Sequence, residues 1–172
     1  GDGVVTDDWT MAAGDLPRDR WALATYRGEI ALRPLNAATN ALTFSIAPRI
    51  VTALITFSPG GHWLAIRHRE ELGIWDTAPG VTGATQRLAF AAQPWAGRHH
   101  FSFTKIAFTP DDRAVLWIDG ESIVATSLPG GAELARWRGA ETSAPGWEAI
   151  AIDPSGKFFV AARSGETVVE LR

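Results

Sequence analysis

Residues 55–80 read ITFSPGGHWLAIRHREELGIWDTAPG, and the punctuation of that stretch decides the fold. An apolar strand ends at Phe57, and Ser58-Pro59-Gly60-Gly61 turns the chain. A second apolar run follows at His62–Ile66, then a charged loop, Arg67–Glu71. Ile74-Trp75-Asp76 reads as a third strand, and Pro79-Gly80 turns the chain again. Short apolar runs bounded by Pro, Gly and Ser predict strands joined by tight turns, hence one antiparallel sheet.

The pattern recurs. With Phe57 as a reference for the last strand residue before the turn, equivalent positions fall at Leu16, Phe108 and Ile152, spaced by 41, 51 and 44 residues. A period near about 40–45 residues marks a repeat made of one small sheet per unit. The longer second spacing falls in Ala91–Gly97, AAQPWAG, which reads as an inserted loop. Each reference is followed by a turn: Pro17-Arg18-Asp19-Arg20, Ser58-Pro59-Gly60-Gly61, Thr109-Pro110-Asp111-Asp112 and Asp153-Pro154-Ser155-Gly156. Proline presets the first corner, and Asp, Ser and Gly suit the rest.

Apolar runs return at Trp21–Ala24, Trp63–Ile66, Ala114–Ile118 and Phe158–Ala162. They are nearly continuous, as in strands covered on both faces. Polar turns at Arg27-Gly28-Glu29, Glu70–Gly73, Asp119-Gly120-Glu121 and Ser164-Gly165-Glu166 then open third strands at Ile30–Leu35, Ile74–Thr77, Ile123–Ser127 and Thr167–Leu171. Fourth, outer strands are expected at Asn40–Ile46, Gln86–Ala91 and Glu133–Arg138. No segment has a helical period of useful length. The reading is all-β: four sheets radiating from one axis, each with its first strand innermost.

These stretches resemble WD40-type β-propeller repeats, four of them and degenerate. In that family a His commonly stands nine residues before the reference aromatic; here His99 precedes Phe108 by nine, with Phe103 and Ile106 in the apolar places between. Asp119-Gly120 matches the family's Asp-Gly turn before the third strand. The resemblance implies that such a His and Asp join a Ser/Thr and a Trp in a buried, structural tetrad. The third repeat pairs His99 with Asp119 but has Trp117 and Ala125 in the Ser/Thr and Trp places. The second keeps Trp75-Asp76 but has Arg69 and Pro48 where Asp and His would stand. Trp75, Asp76, His99, Phe108 and Asp119 are accordingly expected to be structural residues. The implied domain is one partial or half propeller over residues 1–172, with repeats at 10–46, 51–91, 99–138 and 147–172, and 1–9 completing the last blade.

Composition narrows the function classes. The 172 residues, 46% hydrophobic, can support the core of one domain. The net charge of −3 creates no field that draws nucleic acid or an anionic membrane. Of the 16 basic residues only Lys105 and Lys157 are Lys, a bias that with abundant Ala points to a GC-rich, bacterial coding sequence. Cys is absent, which removes disulfides and thiolate metal sites. No apolar run reaches membrane-spanning length, and a cytoplasmic location is expected.

Candidate chemistry is sparse. Ser, His and Asp occur without a G-x-S-x-G elbow. His99-His100 are adjacent, and neighbours on a strand point to opposite faces, which does not suit chelation of one ion. Gly156-Lys157 is followed by Phe158 where a phosphate loop needs Ser or Thr. The basic clusters Arg67-His68-Arg69 and Arg136-Trp137-Arg138 read as solvated faces, and nucleic acid is not expected. No cofactor or metal is expected.

Trp95, in the inserted loop beside Pro94 and Arg98, has the chemistry of a partner contact. The candidate partner-binding set is Tyr26, Arg67, Arg69, Trp95, Arg98 and Arg163. The resemblance to WD40 repeats implies a non-enzymatic protein-interaction module, the scaffold or sensor part of a larger bacterial signalling or regulatory protein. The alternative is the propeller of a hydrolase or lactonase with its site in the central channel. Propellers run to about four to eight blades, and self-association into a larger ring is expected.

Overall fold

The structure is a computed structural model that describes residues 9–25, 27–36, 42–46, 52–68, 71–78, 85–91, 106–138, 147–163 and 169–171. These form four antiparallel sheets whose strands follow chain order. Sheet 1 holds β1 (Trp9–Asp15), β2 (Arg20–Thr25), β3 (Glu29–Pro34) and β4 (Leu42–Ser45). Sheet 2 holds β5 (Thr52–Phe57), β6 (Trp63–His68), β7 (Glu71–Asp76) and β8 (Thr85–Ala91). Sheet 3 holds β9 (Ile106–Phe108), β10 (Ala114–Asp119), β11 (Ser122–Ser127) and β12 (Glu133–Arg138). Sheet 4 holds β13 (Trp147–Ile152), β14 (Phe159–Arg163) and β15 (Val169–Leu171).

The register makes the repeat explicit. Phe57 pairs with Leu64, Phe108 with Val115, Ile152 with Phe159, and Gly14 with Trp21. The first repeat's reference is therefore Gly14. Leu16, expected to end a strand, instead opens a single 3-10 turn, Leu16–Arg18. Asp15 extends the strand because its backbone pairs with Arg20, while Pro17 supplies the helical φ of the turn. The strand runs outward from Trp9, whose backbone pairs with Thr25, so that residue belongs to sheet 1 and not to the last blade; residues 1–8 lie outside the described set.

Period-2 alternation divides sheets 2 and 3 between two neighbours each. In sheet 2, Ile55, Leu64, Ile66 and Trp75 pack on Ala22, Ala24, Ile30 and Leu32 of sheet 1. The alternate residues Leu54, Trp63, Ala65, Leu72 and Ile74 pack on Ile106, Phe108, Val115, Trp117 and Val124 of sheet 3. Sheet 3 turns Leu116, Ile118, Ile123 and Ala125 to Trp147, Ile150, Phe159 and Ala161 of sheet 4. The core thus consists of three layers between successive sheets, and the near-continuous apolar runs follow from burial on both faces. The first strands pack together across sheets, β1 against β5 and β9 against β13.

One aromatic pair recurs at each junction. Phe44 on β4 lies 4.7 Å from Trp75, Phe90 on β8 lies 5.0 Å from Trp117, and Trp137 on β12 lies 4.8 Å from Phe159. Each fourth strand therefore supplies a ring that closes the outer end of the junction with the next sheet, in the offset or tilted geometries aromatic quadrupoles favour.

The expected charged loop at Arg67–Glu71 is shorter than its composition suggested. β6 runs through His68 and β7 begins at Glu71, because Arg67 pairs with Leu72 and His68 with Glu71 in the backbone ladder. The polar turn expected at Glu70–Gly73 likewise yields Glu71, Leu72 and Gly73 to β7.

Candidate interaction surface

The turns between first and second strands gather at one edge of the arc of sheets, where polar side chains link neighbours. At the middle turn, the Asp112 carboxylate accepts from the Ser58 hydroxyl at 2.8 Å, the Gly60 amide at 2.8 Å and the His62 amide at 3.3 Å. The Trp63 indole N–H donates to the Asp112 carbonyl at 3.0 Å. Asp112 can do this because its backbone is left-handed, φ 58°, a region Asp tolerates better than most residues. Glycine at position 60 lets the turn approach this closely, since a Cβ there would overlap the Asp112 carboxylate and push it aside.

The same turn is held from the other side by sheet 1. Asp15, 3% exposed, accepts from Arg20 Nε at 2.7 Å and lies 3.4 Å from Arg18. Arg20 also donates to the Thr77 carbonyl at 2.7 Å and to the Gly61 carbonyl, and its guanidinium stacks 4.8 Å over the Phe57 ring. At the sheet 4 turn, Asp153 accepts from the Ser155 hydroxyl and amide and from the Phe158 amide at 2.8 Å. These bonds, led by that from the Ser155 hydroxyl, hold the Asp153 carboxyl below the usual carboxylate range. The polar groups of this edge thus serve the turns and the junctions.

Between sheets 3 and 4 lies a recess of about 220 Å³, lined by Leu116, Trp137, Ile152, Lys157, Phe158 and Phe159. Among the described residues no group of three or more His, Asp or Glu is placed to hold a metal ion. Among them, no helix is long and apolar enough to cross a membrane.

The structure distributes the sequence-derived candidates unevenly. Tyr26, Arg69, Trp95, Arg98 and His99 lie outside the described residues. Arg163 ends β14, at the edge opposite the turns. Arg67, expected on an exposed loop, is 3% exposed inside β6 and donates to the Ile118 carbonyl of sheet 3 at 3.4 Å. Burial pulls its pKa down, and the Asp119 carboxylate opposes that shift. A partner contact through Arg67 is thereby corrected to a bond between sheets: the alternation that places Ala65 against sheet 3 places Arg67 there too.

Trp75 is buried against sheet 1, and Phe108 against sheet 2. Asp76 is half-buried and pairs with Arg87 at 3.1 Å. Asp119 pairs with Arg136 at 3.0 Å, and Arg136 also takes Glu133 at 2.8 Å. That double pairing raises the Arg136 pKa, with the Glu133 bond the larger cause. Trp117, in the Ser/Thr place of the family tetrad, donates its indole N–H to the Thr126 hydroxyl at 3.1 Å. Sequence reasoning missed Asp15, Arg20 and Asp112, which tie the turns together. Asp112 carried a signal: an acidic residue at the turn position where sheets 2 and 4 have Gly61 and Gly156.

Packing, strand order and the recurrent junction define a β-propeller fold, present here in part. The chain matches no family model, and no curated protein matches it by sequence. Among solved structures it is similar to the β-propeller domain of Cps50 (Swd1) from Myceliophteria thermophila, with a TM-score of 0.70 and 12% identity. The match covers 95% of this chain and 53% of that one, so the chain spans about half the length of that neighbour. The sheets are hereafter called blades.

Proposed function

We propose that the chain is a non-enzymatic protein-interaction module, the scaffold or sensor part of a larger bacterial signalling or regulatory assembly that works in the cytoplasm. The observation that supports this reading is the edge geometry. First-to-second turns of neighbouring blades meet at one edge, with Asp112 on Gly60 and Arg20 on Gly61. The opposite strand ends, at Thr25, His68, Ala91 and Arg163, then share the other edge. The connections carrying Tyr26, Arg69, Trp95 and Arg98 join those ends, and with Arg163 they make the proposed contact set. Aromatic and Arg side chains on a rigid frame are the usual carriers of binding energy.

The test is site-specific photocrosslinking in cells. A crosslinker at position 69 or 98 should capture one and the same protein, and a crosslinker at position 134, exposed on β12, should not. Replacing Trp95 and Arg98 by Ala should then weaken binding of that protein by more than about tenfold, since hot-spot truncations cost about 2 kcal/mol or more. Capture only from position 134 refutes the choice of edge. Turnover of an ester or lactone panel by the purified chain refutes the non-enzymatic reading.

A further inference from the structure

The recess between blades 3 and 4 is open because two positions that close the earlier junctions carry almost no side chain there. In blade 1 the residue that opens the second strand is Arg20, which reaches the Gly61 and Thr77 carbonyls of blade 2. Its equivalent in blade 2, by backbone register, is Trp63, whose indole reaches the Asp112 carbonyl of blade 3. In blade 3 the same place holds Ala114. From the other side, the Asp112 carboxylate closes the junction of blades 2 and 3. Its equivalent in blade 4 is Gly156, also left-handed at φ 71°. A methyl and a hydrogen thus stand where two bridging side chains stood, and about 220 Å³ is left between the blades.

The lining is apolar with a single charge. Leu116, Trp137, Ile152, Phe158 and Phe159 supply the apolar surface, and Phe158 is 56% exposed. Lys157 is the one charged residue of the lining among the described residues, it is exposed, and its ammonium makes no ion pair with them. The acid of its own turn, Asp153, is taken up by Ser155 and the Phe158 amide. The volume exceeds the roughly 150 Å³ of an apolar cavity that holds one benzene ring. It falls short of the roughly 300 Å³ at which pockets for whole small-molecule ligands begin. The space therefore suits one ring of a larger molecule.

We propose that the recess takes one aromatic side chain of a partner peptide that carries a carboxylate next to it, the ring entering among Leu116, Trp137 and Phe158 and the carboxylate meeting Lys157. Charge complementarity selects the acid, because an unpaired cation at the rim of an apolar recess favours an anion beside the buried group. The aromatic lining selects a ring, which it can meet edge-on or offset. The volume selects a peptide: with room for one ring, the rest of the occupant lies outside, along the exposed surface of Phe158. Thr109, Gly156 and Lys157 put this site at the edge of the first-to-second turns, away from the contact set of Arg69, Trp95 and Arg98, and it does not rest on that set.

NMR titration of the 172-residue chain, isotope-labelled at tryptophan, with the peptide acetyl-Gly-Asp-Phe-Gly-amide tests this. The Trp137 indole signal, assigned by its loss in Trp137→Phe, should shift saturably at low millimolar peptide. A peptide with Ala in place of Phe should bind more than about tenfold more weakly, because no ring leaves water. Asn in place of Asp should weaken binding about two- to fivefold, the range of an exposed ion pair. Lys157→Glu should invert that preference, so that the peptide with Lys in place of Asp binds more tightly. Far-UV circular dichroism checks folding, and Lys157→Gln, which should erase the preference for Asp, stands in if the Glu variant does not fold. Replacing Trp95 and Arg98 by Ala should leave the titration unchanged, which separates this site from the contact edge; a changed titration would put the peptide on that edge and overturn the proposal. No saturable shift at about 10 mM peptide overturns it, as does equal binding of the Ala peptide. A preference for Asp that survives both changes at Lys157 overturns the charge contact. Binding of phenylacetate as tight as that of the peptide gives the recess to a small free acid and overturns the peptide as occupant.

Discussion

Gly60 and Asp112 should behave as one unit across the blade 2–blade 3 junction, and a double-mutant cycle measures it. Asp112→Gly keeps the left-handed backbone at φ 58° free of strain and preserves the carbonyl that accepts from Trp63. It removes the carboxylate, and with it two bonds of 2.8 Å and one of 3.3 Å. Bonds to a charged acceptor contribute about 1.5–3 kcal/mol when buried, and the partial exposure of this turn brings the sum down to about 2–3 kcal/mol. For a chain of this size that corresponds to a fall in Tm of about 5–10 °C. Gly60→Ala should cost about 1–3 kcal/mol, because its Cβ overlaps the carboxylate and the clamp must open. In the double variant the overlap is gone. The two costs should therefore fall short of additivity by more than about 1 kcal/mol, whereas independent sites add to within about 0.5 kcal/mol. Urea and thermal unfolding followed by tryptophan fluorescence give all four corners. Strict additivity, or an Asp112→Gly protein as stable as the parent, would refute the clamp.

Phe108→Ala should cost about 3–5 kcal/mol in urea unfolding, as the ring is buried between blades 2 and 3 and leaves a cavity there. Arg20→Ala strands the buried Asp15 carboxylate beside the more distant Arg18 and should cost about 3 kcal/mol; a loss under about 1 kcal/mol would show that Arg18 suffices. Asp153 titrates below the ordinary carboxylate range, so its bonds stabilise the fold above about pH 4, and that contribution disappears as pH falls through the lowered pKa. Asp153→Asn should lower stability at neutral pH and flatten the acid limb of a stability-against-pH curve, and an unchanged acid limb would contradict the assignment.

The repeat was legible because its turns are chemically strict. Ser58-Pro59-Gly60-Gly61 and Asp153-Pro154-Ser155-Gly156 leave few alternatives to a tight reversal, and the apolar runs after them carry the strands. The first repeat misled by two residues because Leu16 is an apolar residue just before a proline, much as Phe57 and Ile152 stand one residue further from theirs. Only backbone pairing shows that Asp15 is still in the ladder. The charge run at Arg67–Glu71 misled for a different reason. A guanidinium on a junction face reads as a loop residue in a linear pattern, yet its long apolar stem and a carbonyl on the next blade allow it to be buried.

The linking residues were hidden for a physical reason that bears on function. Asp15, Arg20 and Asp112 are ordinary turn and strand residues in sequence; Arg20 and Asp112 act on another blade some 40–60 residues away, and Asp15 holds Arg20 from within its own blade. A period exposes what each repeat does for itself; it is silent on what one repeat does for the next. The aromatic pairs illustrate the point, because Phe44, Phe90 and Trp137 were visible as fourth-strand residues while their partners Trp75, Trp117 and Phe159 each belong to the following repeat. Cohesion in this fold is therefore a property of junctions, and a blade's stability depends on having neighbours on both sides.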